Sequence, residues 1–511
     1  MTSSVLSMGL FGLNAYCVTV EADVSSGLPA FDLVGLPGTA VKESKDRVRA
    51  ALQNCGIDFP HSHITINLAP ADIQKESPIY DLPILIALAA ASGEIKKDLK
   101  GYVFLGELSL FGEIRAIDGI LPMLMQGKNS GLTDFFIPVS NAAEASILEG
   151  INVYPISHLS QLLSFLRGES ELKPAEPMHL CLNNEPDNCN DFSEVVGQEQ
   201  VKRAFEIAAA GGHNLLMVGP PGSGKSMLAK RMPTILPPMT KEEMLEVTKI
   251  YSSEGLLDGE PYVTTRPFRS PHHTISPVAL AGGGKKIRAG EVTLAHNGVL
   301  FLDELAEFAK NALDVLRQPL EDGKITINRA SGVVSFPSKL MLICAMNPCK
   351  CGNLGHPYKK CTCSASEVKS YLSRISGPLL DRIDLQVDVM PVSFDALEKG
   401  RAGSTSAEMR KRVIKARGIA QKRLAKHGLT CNAQMPHALI KEYCKTDKAA
   451  TDLLKSAFNA MGLTARSFDK LLKLARTAAD LRDSDIIEAA DVAEVLQYRM
   501  LDKKYFERKN I

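Results

Sequence analysis

Gly219-Pro-Pro-Gly-Ser-Gly-Lys225-Ser226 follows the apolar run Asn214-Leu-Leu-Met-Val218 and opens a helical pattern that extends to Leu236. A buried strand, a glycine-rich turn and a helix in that order predict a G-x-x-x-x-G-K-S phosphate loop. Glycines permit backbone angles that turn successive N–H groups onto phosphate oxygens, and the helix N-terminus adds positive potential. Lys225 is expected to reach the β- and γ-phosphates of ATP and Ser226 to ligate Mg²⁺. Gly219, Pro220, Pro221, Gly222, Ser223 and Gly224 supply the cradle. The plain alternative is a glycine-rich turn carrying a surface lysine, and the flanking strand and helix argue against it.

Working outward, Gly298-Val-Leu-Phe-Leu-Asp303-Glu304 is a second apolar strand, ending in two carboxylates. Asp303 is expected to hold the Mg²⁺ shell and Glu304 to orient or deprotonate the attacking water. Leu340-Met-Leu-Ile-Cys-Ala-Met-Asn347 is a third, and its terminal amide suits positioning of the lytic water. This order resembles that of AAA+ ATPases, in which the amide is called sensor 1. By the same resemblance, Arg382 in Leu379-Leu-Asp-Arg-Ile-Asp384 is placed as a finger for the neighbouring subunit's phosphates. Arg374, eight residues earlier, is the alternative finger, and Arg466, opening the helix Ser467 to Leu481, fits a sensor 2 arginine. Each arginine taken alone reads equally well as a surface residue.

The whole chain sets the frame. Its 511 residues predict roughly two to four domains, with 45% hydrophobic and 23% charged residues, as in a soluble globular protein. A formal net charge of +1 neither favours nor excludes nucleic acid. Met1-Thr-Ser-Ser-Val-Leu-Ser-Met lacks a signal-peptide pattern, and Leu82 to Ala91 reads as a buried helix rather than a membrane span, so a cytoplasmic location is expected. Composition predicts an α+β N-terminal domain over 1–168, a linker over 169–191, an α/β core over 192–395 with a parallel sheet, and an all-α C-terminal domain over 396–511.

Beyond these motifs, the blocks Gly197-Gln198, Ala208-Ala-Ala-Gly-Gly-His-Asn214, Arg269-Ser-Pro-His-His-Thr-Ile-Ser276, Leu294-Ala-His-Asn-Gly298, Leu316-Arg-Gln-Pro-Leu-Glu321 and Ala345-Met-Asn-Pro-Cys349 are distinctive. They resemble the magnesium-chelatase-like AAA+ group and, within it, the YifB/ComM family, over essentially the whole chain. The resemblance implies a ring-forming ATPase, hexameric, with ATP and Mg²⁺ as cofactors. From the ComM members it implies a DNA helicase that promotes branch migration and integration of incoming DNA in natural transformation. Single-stranded and branched DNA, and recombination proteins, are the expected partners. Two insertions gain meaning from it. Gly282-Gly-Gly-Lys285-Lys286-Ile-Arg288 is a basic loop suited to phosphate contacts. Lys324-Ile-Thr-Ile-Asn-Arg329-Ala-Ser-Gly332-Val-Val-Ser-Phe336 alternates like a hairpin ahead of sensor 1. Lys285, Lys286, Arg288 and Arg329 are the candidate DNA contacts, against the plainer reading of solvated loops. His272 and His273 are left open among nucleotide, DNA, subunit and structural roles.

Cys349-Lys-Cys351-Gly and, nine residues on, Cys361-Thr-Cys363 offer two close pairs of thiolates, a set able to hold a structural Zn²⁺ as S₄. His356 inside the loop is a substitute ligand. Cys17, Cys55, Cys181, Cys189, Cys344, Cys431 and Cys444 are scattered and read as core or incidental residues. Residues 1–165 are similar to the Lon protease domain (ribosomal S5 domain 2-like), on the blocks Asn67-Leu-Ala-Pro-Ala-Asp72, Tyr80-Asp-Leu-Pro-Ile-Leu-Ile-Ala-Leu88 and Leu105-Gly-Glu-Leu-Ser-Leu-Phe-Gly-Glu-Ile-Arg-Ala-Ile-Asp-Gly119. Lon's serine position carries Tyr80 or Asp81 and its lysine position about Leu121. Ser77 is nearby without a matching lysine, so proteolysis is not expected. The basic stretch from Arg410 to Lys426 is either a DNA-facing helix or a solvated one packing through Val413, Ile414 and Leu424. A DNA motor is the leading function, ahead of a chelatase-type remodelling ATPase and an ATP-dependent protease.

Overall fold

Period-two alternation in the first quarter of the chain places Ile64, Ile66 and Leu68 on one face of their strand, and a sheet forms around them. The computed structural model describes residues 1–178, 190–284, 286–329, 332–392, 398, 403–499 and 505. Cys181, Cys189 and Lys285 lie outside the described residues. In chain order the first strands are β1 (Thr2–Phe11), β2 (Asn14–Ser25), β3 (Ala30–Val34), β4 (His63–Ala69), β5 (Tyr102–Phe104), β6 (Glu107–Leu108), β7 (Ile114–Arg115), β8 (Asp134–Pro138) and β9 (Asn152–Ile156). Seven of them form one mixed sheet in the order β3-β4-β2-β1-β5-β8-β9, while β6 and β7 pair as a short ribbon. The helix Asp81–Ala91 packs here with nearly every residue buried, as its unbroken apolar run predicts.

The strands that follow are β10 (Leu215–Val218), β11 (Phe268–Arg269), β12 (Gly282–Gly283), β13 (Arg288–Ala289), β14 (Val299–Leu302), β15 (Lys324–Arg329), β16 (Gly332–Pro337), β17 (Met341–Met346) and β18 (Leu385–Asp388). Five make a wholly parallel sheet, β11-β14-β17-β10-β18. Its central strands are buried on both faces, which is why Leu-Leu-Met-Val, Val-Leu-Phe-Leu and Met-Leu-Ile-Cys-Ala-Met are unbroken apolar runs. The expected hairpin is β15–β16, in register from Lys324↔Pro337 to Arg329↔Gly332, and the basic loop is the two-residue ribbon β12–β13. The helix after the phosphate loop is shorter than its pattern. It runs Lys225–Lys230, and a second turn, Met232–Ile235, restarts with Pro233 in its first turn.

From Ser406 onward the described chain is helical, with helices Ser406–Leu424, His437–Tyr443, Lys448–Met461, Ala465–Leu481 and Ala489–Gln497. Thr405 caps the first through a capping box with Glu408. These helices share one core with Glu199–Gly211 and the parallel sheet, through Ala204, Ala208, Val413, Leu471, Leu474 and Ala478. The long basic helix buries Met409, Val413, Ala416, Ala420 and Leu424, whereas Ile414, expected to pack, is exposed.

Apolar packing joins the elements of the first sheet to those of the second. Leu121 and Ile147 pack with Met244 and Val247 of helix Lys241–Ser253. The β1–β2 turn meets the β15–β16 hairpin, where Leu13 shares a small core with Val334 and Phe336. Gly12, at φ 63°, comes so close that an added Cβ would lie 2.4 Å from Val334 Cγ1, so only glycine serves at this turn.

Candidate active site

Parallel strands deliver their C-terminal ends to one edge of the sheet, and three of the expected site elements meet there. Val218, Leu302 and Met346 end β10, β14 and β17, which are hydrogen-bonded neighbours. Lys225 Nζ donates to Gly219 O (2.7 Å), Pro220 O (2.8 Å) and Asn347 Oδ1 (3.1 Å). Burial pushes its pKa down, opposed by the charges of Asp303 and Glu304. Ser226 Oγ donates to Asp303 Oδ2 at 2.5 Å, so the hydroxyl and carboxylate expected at one Mg²⁺ already converge. Gly222 (φ 77°) and Gly224 (φ 89°) have left-handed backbones, and open space lies where their Cβ atoms would stand. Such a cradle fits phosphate oxygens.

Glu304 follows Asp303 with a left-handed φ of 51°, uncommon for a residue with a side chain, and its N–H donates to Asp303 Oδ1 (2.9 Å). Its carboxylate faces His273, with Nδ1 3.3 Å from Oε2. Sequence reasoning left this histidine open; the signal is a doubled histidine that follows Ser270-Pro271 after β11, the neighbour of β14.

The arginines separate. Arg374 stays near Glu304, with Nη1 on Ala306 O (3.1 Å) and Glu307 Oε2 (2.9 Å). Arg382 and Arg466 are at the opposite edge. Both reach Glu321, Arg382 by a close ion pair and Arg466 at 3.5 Å. They line a cleft of about 530 Å³ together with Asn214, Gly298 and Met341, which precede or open β10, β14 and β17. A four-residue strand spans roughly 10–13 Å, so the structure does not bring Arg466 to Lys225 of its own chain. Glu321 carries no sequence signal, because its two partners are remote in sequence. The cleft is rich in desolvated cations. Burial lowers the pKa of Lys470, Lys473 and Arg417, while Asp384 opposes the shift at both lysines.

The candidate DNA contacts also gather. Lys286, Arg288 and Arg329 are exposed, and the Arg329 guanidinium lies 3.6 Å from where a Cβ on Gly283 would stand, so ribbon and hairpin touch. The basic helix behaves otherwise. Arg412 pairs with Glu206, Lys415 with Asp483 and Arg423 with Asp480, which ties much of its charge to the protein.

The ligand sulfurs of Cys349, Cys351, Cys361 and Cys363 all lie within 4.8 Å of one another. Cys349 is 3.4 Å from Cys351 and 3.6 Å from Cys361. Tetrahedral Zn–S bonds of about 2.3 Å place sulfurs about 3.8 Å apart, so the set fits a four-thiolate ion. Hydrogen bonds from the N–H groups of Asn353 and Thr362 pull the Cys351 thiol down to about 5. His356 stands outside the cluster, its Nδ1 accepting from Tyr358 N (3.0 Å) and Lys359 N (3.1 Å). Gly352 packs against Pro221, so the cysteine loop braces the phosphate loop.

At the start of the helix packed on the first sheet, Tyr80 and Asp81 are buried. Asp81 accepts from Ser44 and from Arg47 (Nε, 2.6 Å), while Lys75 spends its ammonium on the carbonyls of Gly35 and Pro70. Neither arrangement presents an activated nucleophile.

A parallel sheet with a phosphate loop, a carboxylate pair and a polar third strand end defines a P-loop site of the AAA+ type. Residues 191–397 match the family described as magnesium chelatase, subunit ChlI, residues 20–141 match subunit ChlI of Mg-chelatase, and residues 403–499 match the ChlI C-terminal region. Competence protein ComM of Haemophilus influenzae is 41% identical over 504 residues, 97% of each chain. YifB of Escherichia coli is 40% identical over 506 residues, 98% of this chain and 97% of its own. A Lon protease of Aster yellows witches'-broom phytoplasma is 31% identical over 157 residues, 28% of this chain and 20% of its own. The chain belongs to the YifB/ComM family of magnesium-chelatase-like AAA+ ATPases. No helix among the described residues is long and apolar enough to cross a membrane.

Proposed function

We propose that the chain is an ATP-driven ring motor that moves DNA. In this reading a hexamer hydrolyses ATP at its subunit interfaces and acts as a branch-migration helicase on incoming DNA in natural transformation. The observation that carries it is the split site. Lys225, Ser226, Asp303, Glu304 and Asn347 gather at one edge of the sheet, while Arg382 and Arg466 sit at the other, out of reach. A ring unites the two halves, each subunit offering its arginines to its neighbour's phosphates. Arg382 is favoured over Arg374 as the finger, because Arg374 belongs to the Glu304 edge.

Ser226 and Asp303 would hold Mg²⁺, which neutralises phosphate charge. Glu304 takes the proton of the attacking water, and Asn347 and Lys225 orient the reacting groups. Zn²⁺ on Cys349, Cys351, Cys361 and Cys363 would be structural, because four protein ligands leave no open position for water. DNA is supported by the adjoining exposed cations Lys286, Arg288 and Arg329 and by the likeness to a competence protein. The buried Tyr80 and the Asp81–Arg47 pair speak against a Lon-type protease.

Gel shifts with single-stranded and forked DNA, with and without a non-hydrolysable ATP analogue, test the DNA reading. Analogue-dependent binding of forked DNA is expected. Absence of binding in every nucleotide condition would overturn it and favour a chelatase-type remodelling ATPase.

A further inference from the structure

From Cys349 to Cys363 the chain reads Cys-Lys-Cys-Gly-Asn-Leu-Gly-His-Pro-Tyr-Lys-Lys-Cys-Thr-Cys, with three lysines, one histidine and no carboxylate. The four cysteine sulfurs close this loop at its base, all within 4.8 Å of one another. Cys351, Leu354 and Cys361 pack on the core that contains Cys344 and Met346 of β17, so the root of the loop is fixed to the parallel sheet. The tip faces water. Tyr358 is 81% exposed, and Lys359 and Lys360, which follow it, are exposed as well.

The exposed ring is nonetheless held. Pro357 has its φ set by its own ring, and His356 Nδ1 accepts from Tyr358 N at 3.0 Å and from Lys359 N at 3.1 Å. The His356 and Tyr358 rings meet edge-on with centroids 6.1 Å apart. A ring already ordered on a closed loop gives up little conformational freedom when a flat group stacks on it. The two lysines are uncommitted. Among the described residues no carboxylate pairs with Lys359 or Lys360. Glu367, just beyond the loop, is engaged in the capping box of Ser364. The helix Ser406–Leu424 differs, because Glu206, Asp480 and Asp483 draw its cations onto the protein.

We propose that the tip of the cysteine loop binds single-stranded DNA, with one base stacked on Tyr358 and the adjoining phosphates on Lys359 and Lys360. This site is additional to the ribbon and hairpin cations, and it rests on the reading of the chain as a DNA motor. Every base has a π face, so such a site tolerates any sequence. It discriminates against duplex, whose base faces are covered by their neighbours in the stack. An acidic peptide would satisfy the lysines and leave the ring unused. Gly352 packs on Pro221, so a strand held at the tip sits on a loop that touches the phosphate loop.

Fluorescence anisotropy of labelled oligo-dT with the full-length protein and a non-hydrolysable ATP analogue tests the site. Tyr358→Ala is expected to weaken binding roughly 5- to 150-fold, and Tyr358→Phe to hold it within about twofold, because stacking uses the ring and not the hydroxyl. Replacing Lys359 and Lys360 together with glutamine should flatten the slope of log affinity against log salt by about 1.4, roughly 0.7 for each phosphate contact on a single strand. Blunt duplex should bind all these proteins alike. On irradiation, an oligonucleotide carrying 5-iodouracil should crosslink to the peptide that contains Tyr358. Zinc content, melting temperature and oligomer size of each variant should match the wild type. Wild-type affinity for oligo-dT in Tyr358→Ala overturns the site and leaves the DNA motor standing. A loss of binding that appears only with a loss of assembly also overturns it, and assigns the tip to contact between copies of the chain. If the wild type binds neither oligo-dT nor forked DNA in any nucleotide condition, the site and the DNA reading fall together.

Discussion

Lys225 Nζ and Asn347 Oδ1 lie 3.1 Å apart, linking the loop that follows β10 to the residue that follows β17. Two strand ends that are neighbours in the sheet thereby share one polar point, as a site acting on a terminal phosphate requires. Asn347→Ala is expected to lower kcat about 100-fold, the loss typical of one preorganised polar group, with nucleotide affinity within about threefold. Lys225→Ala should instead abolish nucleotide binding. Steady-state phosphate release paired with equilibrium binding separates the two.

Arg382 and Arg466 converge on Glu321, away from the phosphate loop. Arg382→Ala should lose about 10³-fold or more in turnover while still binding ATP. Mixing it with Lys225→Ala should restore activity, because roughly a quarter of interfaces in a random equimolar ring pair an intact lysine with an intact finger. Arg374→Ala, tied to Glu307, should have the smaller effect.

The cysteine cluster predicts about one Zn²⁺ per chain by metal analysis, held more weakly as pH falls because the ligands are thiolates. Since Gly352 packs on Pro221, chelation should lower the melting temperature and weaken ATP binding together. Substituting Cys361 with serine should reproduce both effects.

Glu246 gives a pH signature remote from the chemistry. A hydrogen bond from His296, against the opposing effect of burial, holds its carboxyl down to about 2 from an ordinary 4.5. A depressed folded-state pKa contributes stability above about pH 5 that is lost as pH falls toward 2. Thermal melts of Glu246→Gln should show a flatter acid limb in that window. The effect is small, because the side chain is about half exposed and screened.

The local grouping of the site residues was legible in the sequence. The phosphate loop, the Asp303–Glu304 pair, Asn347 and the four cysteines each lie within a short segment whose pattern is local, although the helix after the phosphate loop breaks after Lys230. The hairpin and the parallel sheet followed from apolar periodicity for the same reason. What pattern alone did not reveal depends on partners far along the chain. Glu321 gathers arginines from 61 and 145 residues away. The basic helix reads equally as a nucleic-acid surface or a solvated face, because its partners Glu206, Asp480 and Asp483 are remote in sequence. Ile414 fits the helical apolar pattern yet faces solvent, because that pattern does not say which face meets the core. His273 carried no decisive signal, since its significance depends on β11 lying beside β14.

The most direct measurement of the central claim is phosphate release by Glu304→Gln with forked DNA present, beside ATP binding by the same protein. The account predicts unchanged ATP affinity with turnover reduced about 10²- to 10⁴-fold, the range for removing a general base. Turnover equal to that of the wild type would contradict it, because Glu304 would then not be the group that activates water.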